Sequence, residues 1–220
     1  MSWLVNFYKS TIGMKVAMAV TGIILVGFVI IHMIGNLQVF LGREVLNAYG
    51  EALKANKGLL WGVRLTLLAS IGLHMYSAVV LTLRSRAARP MSYIKSEPQA
   101  ATFASRTIVY GGFILVMYII YHLMHFTVGN VHPNFREGDV YANVVNGFSS
   151  LPAVMVYVVA NMVLGLHLYH GVQSLARTLG VHNSRYSKLA RPVAIFIGAL
   201  VGGANVIMPL AVYFRIGIVA

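Results

Sequence analysis

Cysteine is absent from this chain, which excludes a thiolate-held iron–sulfur cluster, a c-type haem linkage and any disulfide. Charge is scarce too: 10% of residues are charged, and Asp and Glu together number 5. Those acids, Glu44, Glu51, Glu97, Glu137 and Asp139, lie in polar connections and never inside an apolar run. A zinc or carboxylate-bridged di-metal site within the apolar segments is therefore disfavoured. No polar stretch is long enough to house a nucleotide-binding domain.

What is present is apolar. The 220 residues are 58% hydrophobic, with a mean hydropathy of +0.75, outside the range of a soluble domain. The chain is read as one integral membrane domain, residues 1–220. Its formal net charge of +12 does not point to nucleic acid, because the basic residues sit at the ends of apolar runs, where they act as topology signals.

The pattern gives five spans: about Val16 to Leu41, Leu59 to Leu83, from after Arg106 to Val128, Leu151 to Ala176, and Val193 to Phe214. Each is long enough to cross about 30 Å of hydrocarbon. Between the first two, Val45, Leu46, Tyr49 and Leu53 share a face at helical spacing, so a short helix is expected there, as an ordinary connecting helix in preference to one lying along the membrane surface. Residues 129 to 150 are read as a polar loop. Ala17-Met18-Ala19 lies at the start of the first apolar run, so that run is read as an uncleaved span. With five spans, one side collects Lys9, Lys15, Arg84, Arg86, Arg89, Lys95, Arg106, Arg177, Arg185, Lys188 and Arg191 out of the 17 basic residues. The positive-inside rule then puts the N-terminus in the cytoplasm and the C-terminus outside.

Histidines recur on four of these runs: His32, His74, the pair His122 and His125, and the pair His167 and His170. Ionisable side chains in hydrocarbon are costly and tend to face a bundle interior or a cofactor. His32 lies 17 residues beyond Lys15 and His122 lies 16 beyond Arg106, which places both roughly 25 Å above the inner face at 1.5 Å per residue. His74 and His167 each lie 10 residues before a basic residue, Arg84 and Arg177, hence about 15 Å from that face. In an up-down four-helix bundle, spans one and three are diagonal partners, as are spans two and four. The depth matches fall on those partners.

The expected fold is thus all-α, with the first four spans bundled around two stacked haems b. Each iron would lie between two imidazoles with no open coordination site: His32 with His122 for the outer haem, His74 with His167 for the inner. Such centres carry electrons and do not bind oxygen. His170 fits the depth of His74 less well than His167 does. Arg106 and Arg177 are candidate partners for the inner haem's propionates, and topology anchoring accounts for them equally. Gly27, Gly35, Gly72, Gly111, Gly112, Gly165 and Gly171 allow close packing around a flat cofactor, or ordinary helix contact. Gly198-x-x-x-Gly202 is expected to be a helix contact, with span five outside the four-helix core.

At this point the sequence resembles the cytochrome b subunit of bacterial succinate:menaquinone oxidoreductases and fumarate reductases, the single-polypeptide, five-span, two-haem type. The strings that carry the likeness are Ser10-Thr11-Ile12-Gly13-Met14-Lys15, Met18-Ala19-Val20-Thr21-Gly22, His32-Met33-Ile34-Gly35-Asn36-Leu37, Ala88-Arg89-Pro90-Met91-Ser92-Tyr93, Ala104-Ser105-Arg106-Thr107, His122-Leu123-Met124-His125-Phe126-Thr127 and His167-Leu168-Tyr169-His170-Gly171. Each is weak alone; in order they are specific. The resemblance implies haem ligation by His32, His74, His122 and His167, with Gly171 and Leu179-Gly180 aligning the last motif on His167.

The resemblance further implies a multi-pass anchor in the bacterial inner membrane that holds a covalent-FAD flavoprotein subunit and an iron–sulfur subunit on the cytoplasmic side. The chain would serve a succinate:quinone oxidoreductase without binding the dicarboxylate, passing electrons to or from menaquinone. The glutamates that some family members use for proton transfer have no counterpart inside a span here. Two alternatives stand beside this reading. One is another bis-histidine membrane cytochrome, of the ferric reductase or hydrogenase/formate dehydrogenase type; the other is a haem-free anchor or transporter.

Overall fold

The computed structural model describes residues 2–88, 102–180 and 187–218. Arg89, Lys95, Arg185 and the Arg89 to Tyr93 part of the family-like string lie outside the described residues. The chain forms α1 (Ser2–Lys9), α2 (Thr11–Leu37), α3 (Arg43–Ala55), α4 (Lys57–Ala87), α5 (Phe103–Leu123), α6 (Val140–Gly147), α7 (Leu151–Thr178) and α8 (Ser187–Tyr213), with no strand among the described residues.

Helix starts follow local chemistry. The side chains of Ser10, Asn56 and Thr102 accept from the backbone N–H groups of Gly13, Leu59 and Ser105 at 3.0, 3.0 and 3.2 Å, each satisfying a donor that the first turn leaves free. Five segments are long and apolar enough to cross a membrane: Thr11–Leu41, Lys57–Ala87, Phe103–Val128, Leu151–Thr178 and Lys188–Tyr213. This is a multi-pass membrane protein, and its spans are those expected from the apolar runs, extended by a turn or so at several ends.

Helix α2 packs on α4, α5 packs on α7, and α2 also touches α7 and α8, whereas α4 and α5 are not packed against each other. Helices α2 and α5 are thus diagonal, as are α4 and α7. The most extensive contact joins α7 to α8. It is made by glycine: a methyl at Gly198 would stand 2.6 Å from the Gly165 carbonyl oxygen, and one at Gly202 would stand 2.9 Å from Gly165 Cα. Small residues let backbones meet in lipid, where dispersion drives association. Gly198-x-x-x-Gly202 acts as expected. Gly165 belongs to this same crossing and not to a cofactor wall, and Gly35 makes room for the Tyr49 ring.

One end is capped by folded chain. Leu46 of α3 and Tyr141 of α6 join Val39, Phe148, Val154, Tyr157, Met208 and Val212 in a buried apolar cluster. The expected face of the connecting helix is half right, since Leu46 is buried while Val45 and Leu53 are exposed. The loop expected over 129 to 150 instead contains α6. Asp139 organises it: the carboxylate accepts from Asn47 Nδ2 at 3.0 Å and from the Ala142 N–H at 3.1 Å, and it pairs with Arg43. Partial burial works against ionisation, but the hydrogen bonds from Asn47 and Ala142 and the Arg43 charge outweigh it and hold the Asp139 carboxyl below its ordinary value.

Two outcomes follow. Gly202→Val overpacks the α7–α8 crossing and lowers stability by about 1–3 kcal/mol, read as the thermal unfolding midpoint in detergent, whereas Gly203→Ala, which meets nothing within 4 Å, does not lower it. Asp139→Ala removes an N-cap worth about 1 kcal/mol. Because the folded carboxyl titrates below the unfolded one, the difference between wild type and variant is full at neutral pH. It shrinks as pH falls through the carboxyl's folded value.

Candidate functional site

Each diagonal carries a pair of facing imidazoles. His32 of α2 and His122 of α5 have ring centres 5.7 Å apart at an interplanar angle of 89°. His74 of α4 and His167 of α7 have centres 6.4 Å apart at 53°. Two imidazoles on opposite sides of one metal, with metal–nitrogen bonds of about 2.0–2.1 Å, place their ring centres about 6 Å apart. The four side chains therefore fit two bis-imidazole centres, in the pairs that depth counting assigns.

The couples lie toward opposite ends of the bundle. His122 neighbours the capped end through Tyr157, whose ring meets Phe148 at 4.8 Å between centres. His74 is on the side of α1: one turn further along α4, Ser77 Oγ lies 3.3 Å from the Tyr8 hydroxyl.

The Nδ1 atoms of these histidines have distinct surroundings. His122 Nδ1 and His125 Nδ1 both lie 3.1 Å from the Tyr157 hydroxyl. Tyr157 is buried and belongs to the helical turn whose carbonyl accepts from Asn161 Nδ2 at 2.8 Å. His74 Nδ1 lies 3.1 Å from Thr21 Oγ1. His167 Nδ1 is buried with no hydrogen-bond partner among the described residues. His32 lies flat on Phe28, with centres 5.3 Å apart.

His125 and His170 are set apart. His125 begins no second couple: it lies on a π turn, Met124–Val128, that ends α5. There its buried ring packs on Phe126 at 4.2 Å and on His132 at 5.1 Å. Gly129 closes that turn at φ +85°, donating its N–H to the Met124 carbonyl at 2.9 Å, a conformation suited to glycine. His132 is itself fixed, donating from Nε2 to the Asn143 carbonyl at 2.8 Å and accepting the Asn134 N–H at Nδ1. His170 is half-buried, one turn further along α7 from His167. Arg106 and Arg177 are exposed, in the first turn of α5 and the last turn of α7.

An apolar groove of about 610 Å³ runs between α2 and α4 beside His32, lined among others by Ile24, Gly27, Phe28, Ile31, Gly62 and Val63. Gly27 and Gly62 have nothing within 4 Å of where a Cβ would stand. The groove is mostly apolar, with Thr66 contributing a hydroxyl side chain to its lining. Sequence reasoning passed over Tyr157, Thr21 and Asn161; the one available signal was a hydroxyl or amide placed within an apolar run.

Residues 82–204, more than half of the chain, match the family model described as succinate dehydrogenase/fumarate reductase transmembrane subunit. Neither the curated proteins nor the solved structures gave a match.

Replacing Tyr157 by Phe leaves two imidazole nitrogens without their partner. At about 1–3 kcal/mol for each buried group left unsatisfied, Tyr157→Phe lowers the unfolding midpoint measurably in detergent. Tyr121→Phe, whose ring stacks on His125, retains that stacking and leaves the midpoint in place.

Proposed function

The chain belongs to the succinate dehydrogenase/fumarate reductase transmembrane subunit family, and from that premise we propose that it anchors the flavoprotein and iron–sulfur subunits of a succinate:menaquinone oxidoreductase and relays their electrons through two haems b. His32 and His122 hold the outer haem, and His74 and His167 the inner one. The observation that carries this reading is the pairing itself: four imidazoles from four spans meet as two couples at 5.7 and 6.4 Å. Bound there, the haems supply one-electron transfer between the iron–sulfur subunit and menaquinone.

The protein's own residues do the rest. His32 with His122 and His74 with His167 would each hold a haem through two imidazoles, and a haem so held would carry electrons rather than bind oxygen. Tyr157 holds the His122 ring in register, and apolar side chains on α2, α4, α5 and α7 keep water away. His125 is reserved for the aromatic cluster around Tyr157, which favours His122 as the ligand of α5. The N-terminus and the basic inner connections lie in the cytoplasm, where the basic residues add a docking surface for the two extrinsic subunits. Arg106 and Arg177, both exposed at helix ends, are the cations this reading assigns to the propionates of the inner haem.

The test is an optical redox titration of the purified complex reduced with succinate. Two b-type centres are expected. His74→Ala or His167→Ala removes one, His32→Ala or His122→Ala removes the other, and His125→Ala and His170→Ala retain both. Absence of a Soret band in the wild-type complex, or loss of a haem with His170→Ala alone, overturns the assignment.

A further inference from the structure

We propose that Thr21 is a positioning residue for the inner centre: its hydroxyl fixes the Nδ1–H tautomer of His74, leaves the Nε2 lone pair directed at the bundle interior, and strengthens that nitrogen as a donor. Thr21 Oγ1 lies 2.7 Å from the Ala17 carbonyl oxygen and 3.2 Å from that of Met18. Neither carbonyl can donate, and two oxygens this close repel unless a hydrogen lies between them. The single hydroxyl hydrogen therefore points back into α2, a bond that threonine commonly makes one turn earlier in a helix. Oγ1 is left as an acceptor only, and the contact at 3.1 Å must be a bond donated by His74 Nδ1–H.

A neutral imidazole carries one N–H, so Nε2 of His74 has the free lone pair. Thr21 is 5% exposed, so no water replaces it. The ring lies beside Gly22, where an added methyl would make ordinary contact with it, 3.6 Å from His74 Cε1. The partner ring has no such bond among the described residues, where His167 Nδ1 finds no hydrogen-bond partner. The two sides of the couple therefore differ, and His74 is the stronger donor.

This rests on the bis-histidine reading only for what binds the free nitrogen. A bond donated by the far ring nitrogen raises ligand basicity and so favours the ferric state of an iron held by His74. Thr21→Val keeps the shape and removes the hydroxyl acceptor, leaving the Met18 carbonyl that also meets the His74 ring; Thr21→Ser keeps the hydroxyl and removes the methyl. In the assembled complex, potentiometric titration with low-temperature electron paramagnetic resonance reads each haem separately. Thr21→Val is expected to shift the ferric-to-ferrous ratio of the inner haem about tenfold toward ferrous at a given potential, a rise of about 59 mV for a one-electron couple. The outer haem stays at its wild-type value, and Thr21→Ser behaves as wild type. Loss of the inner haem in Thr21→Val together with its retention at wild-type potential in Thr21→Ser also supports the proposal. An unmoved inner potential in Thr21→Val, or the same shift in both variants, overturns it. A wild-type complex without two bis-imidazole signals overturns the haem reading instead, which keeps the two failures distinct.

Discussion

An imidazole placed in hydrocarbon cannot turn to water, so a ring nitrogen without a partner inside the protein carries a cost, one that His167 Nδ1 bears among the described residues. That constraint organises this bundle. His122 and His74 settle one nitrogen each, on Tyr157 and Thr21, and present the remaining edge to a histidine on the diagonal helix. The apolar spans supply the medium that makes those bonds matter, and the crossing pattern of the helices sets which rings can meet.

Much of this was legible in the chain. Five apolar runs bounded by basic residues give five spans, because length and hydropathy leave a 26-to-31-residue helix no stable place but the bilayer. The pairing of His32 with His122 and of His74 with His167 followed from counting residues to the nearest cationic anchor, since the rise per residue of a helix is nearly constant. What depth counting cannot supply is azimuth. Whether His122 or His125 turned toward α2 depended on the π turn at Met124 and on the aromatic pocket of Phe126 and His132, neither of which has a periodic signature.

The connections were less readable than the spans. Residues 129 to 150 are polar by composition, yet Asp139, Asn47 and Asn143 bind backbone groups across it, and α6 lies against α3. The information sits in pairs of residues nearly a hundred positions apart, such as Asn47 with Tyr141, which no local window contains. Gly165 shows the same limit from the other side. Its neighbour His167 suggested a cofactor wall, while its actual constraint comes from Gly198 and Gly202, a span away.

Helices α4 and α5, consecutive spans in the sequence, are not packed together, so the four-helix core has a seam on its flank. The α2–α4 pair therefore meets the α5–α7 pair through the contacts of α2 with α7, and whatever loosens that line loosens both halves of the bundle.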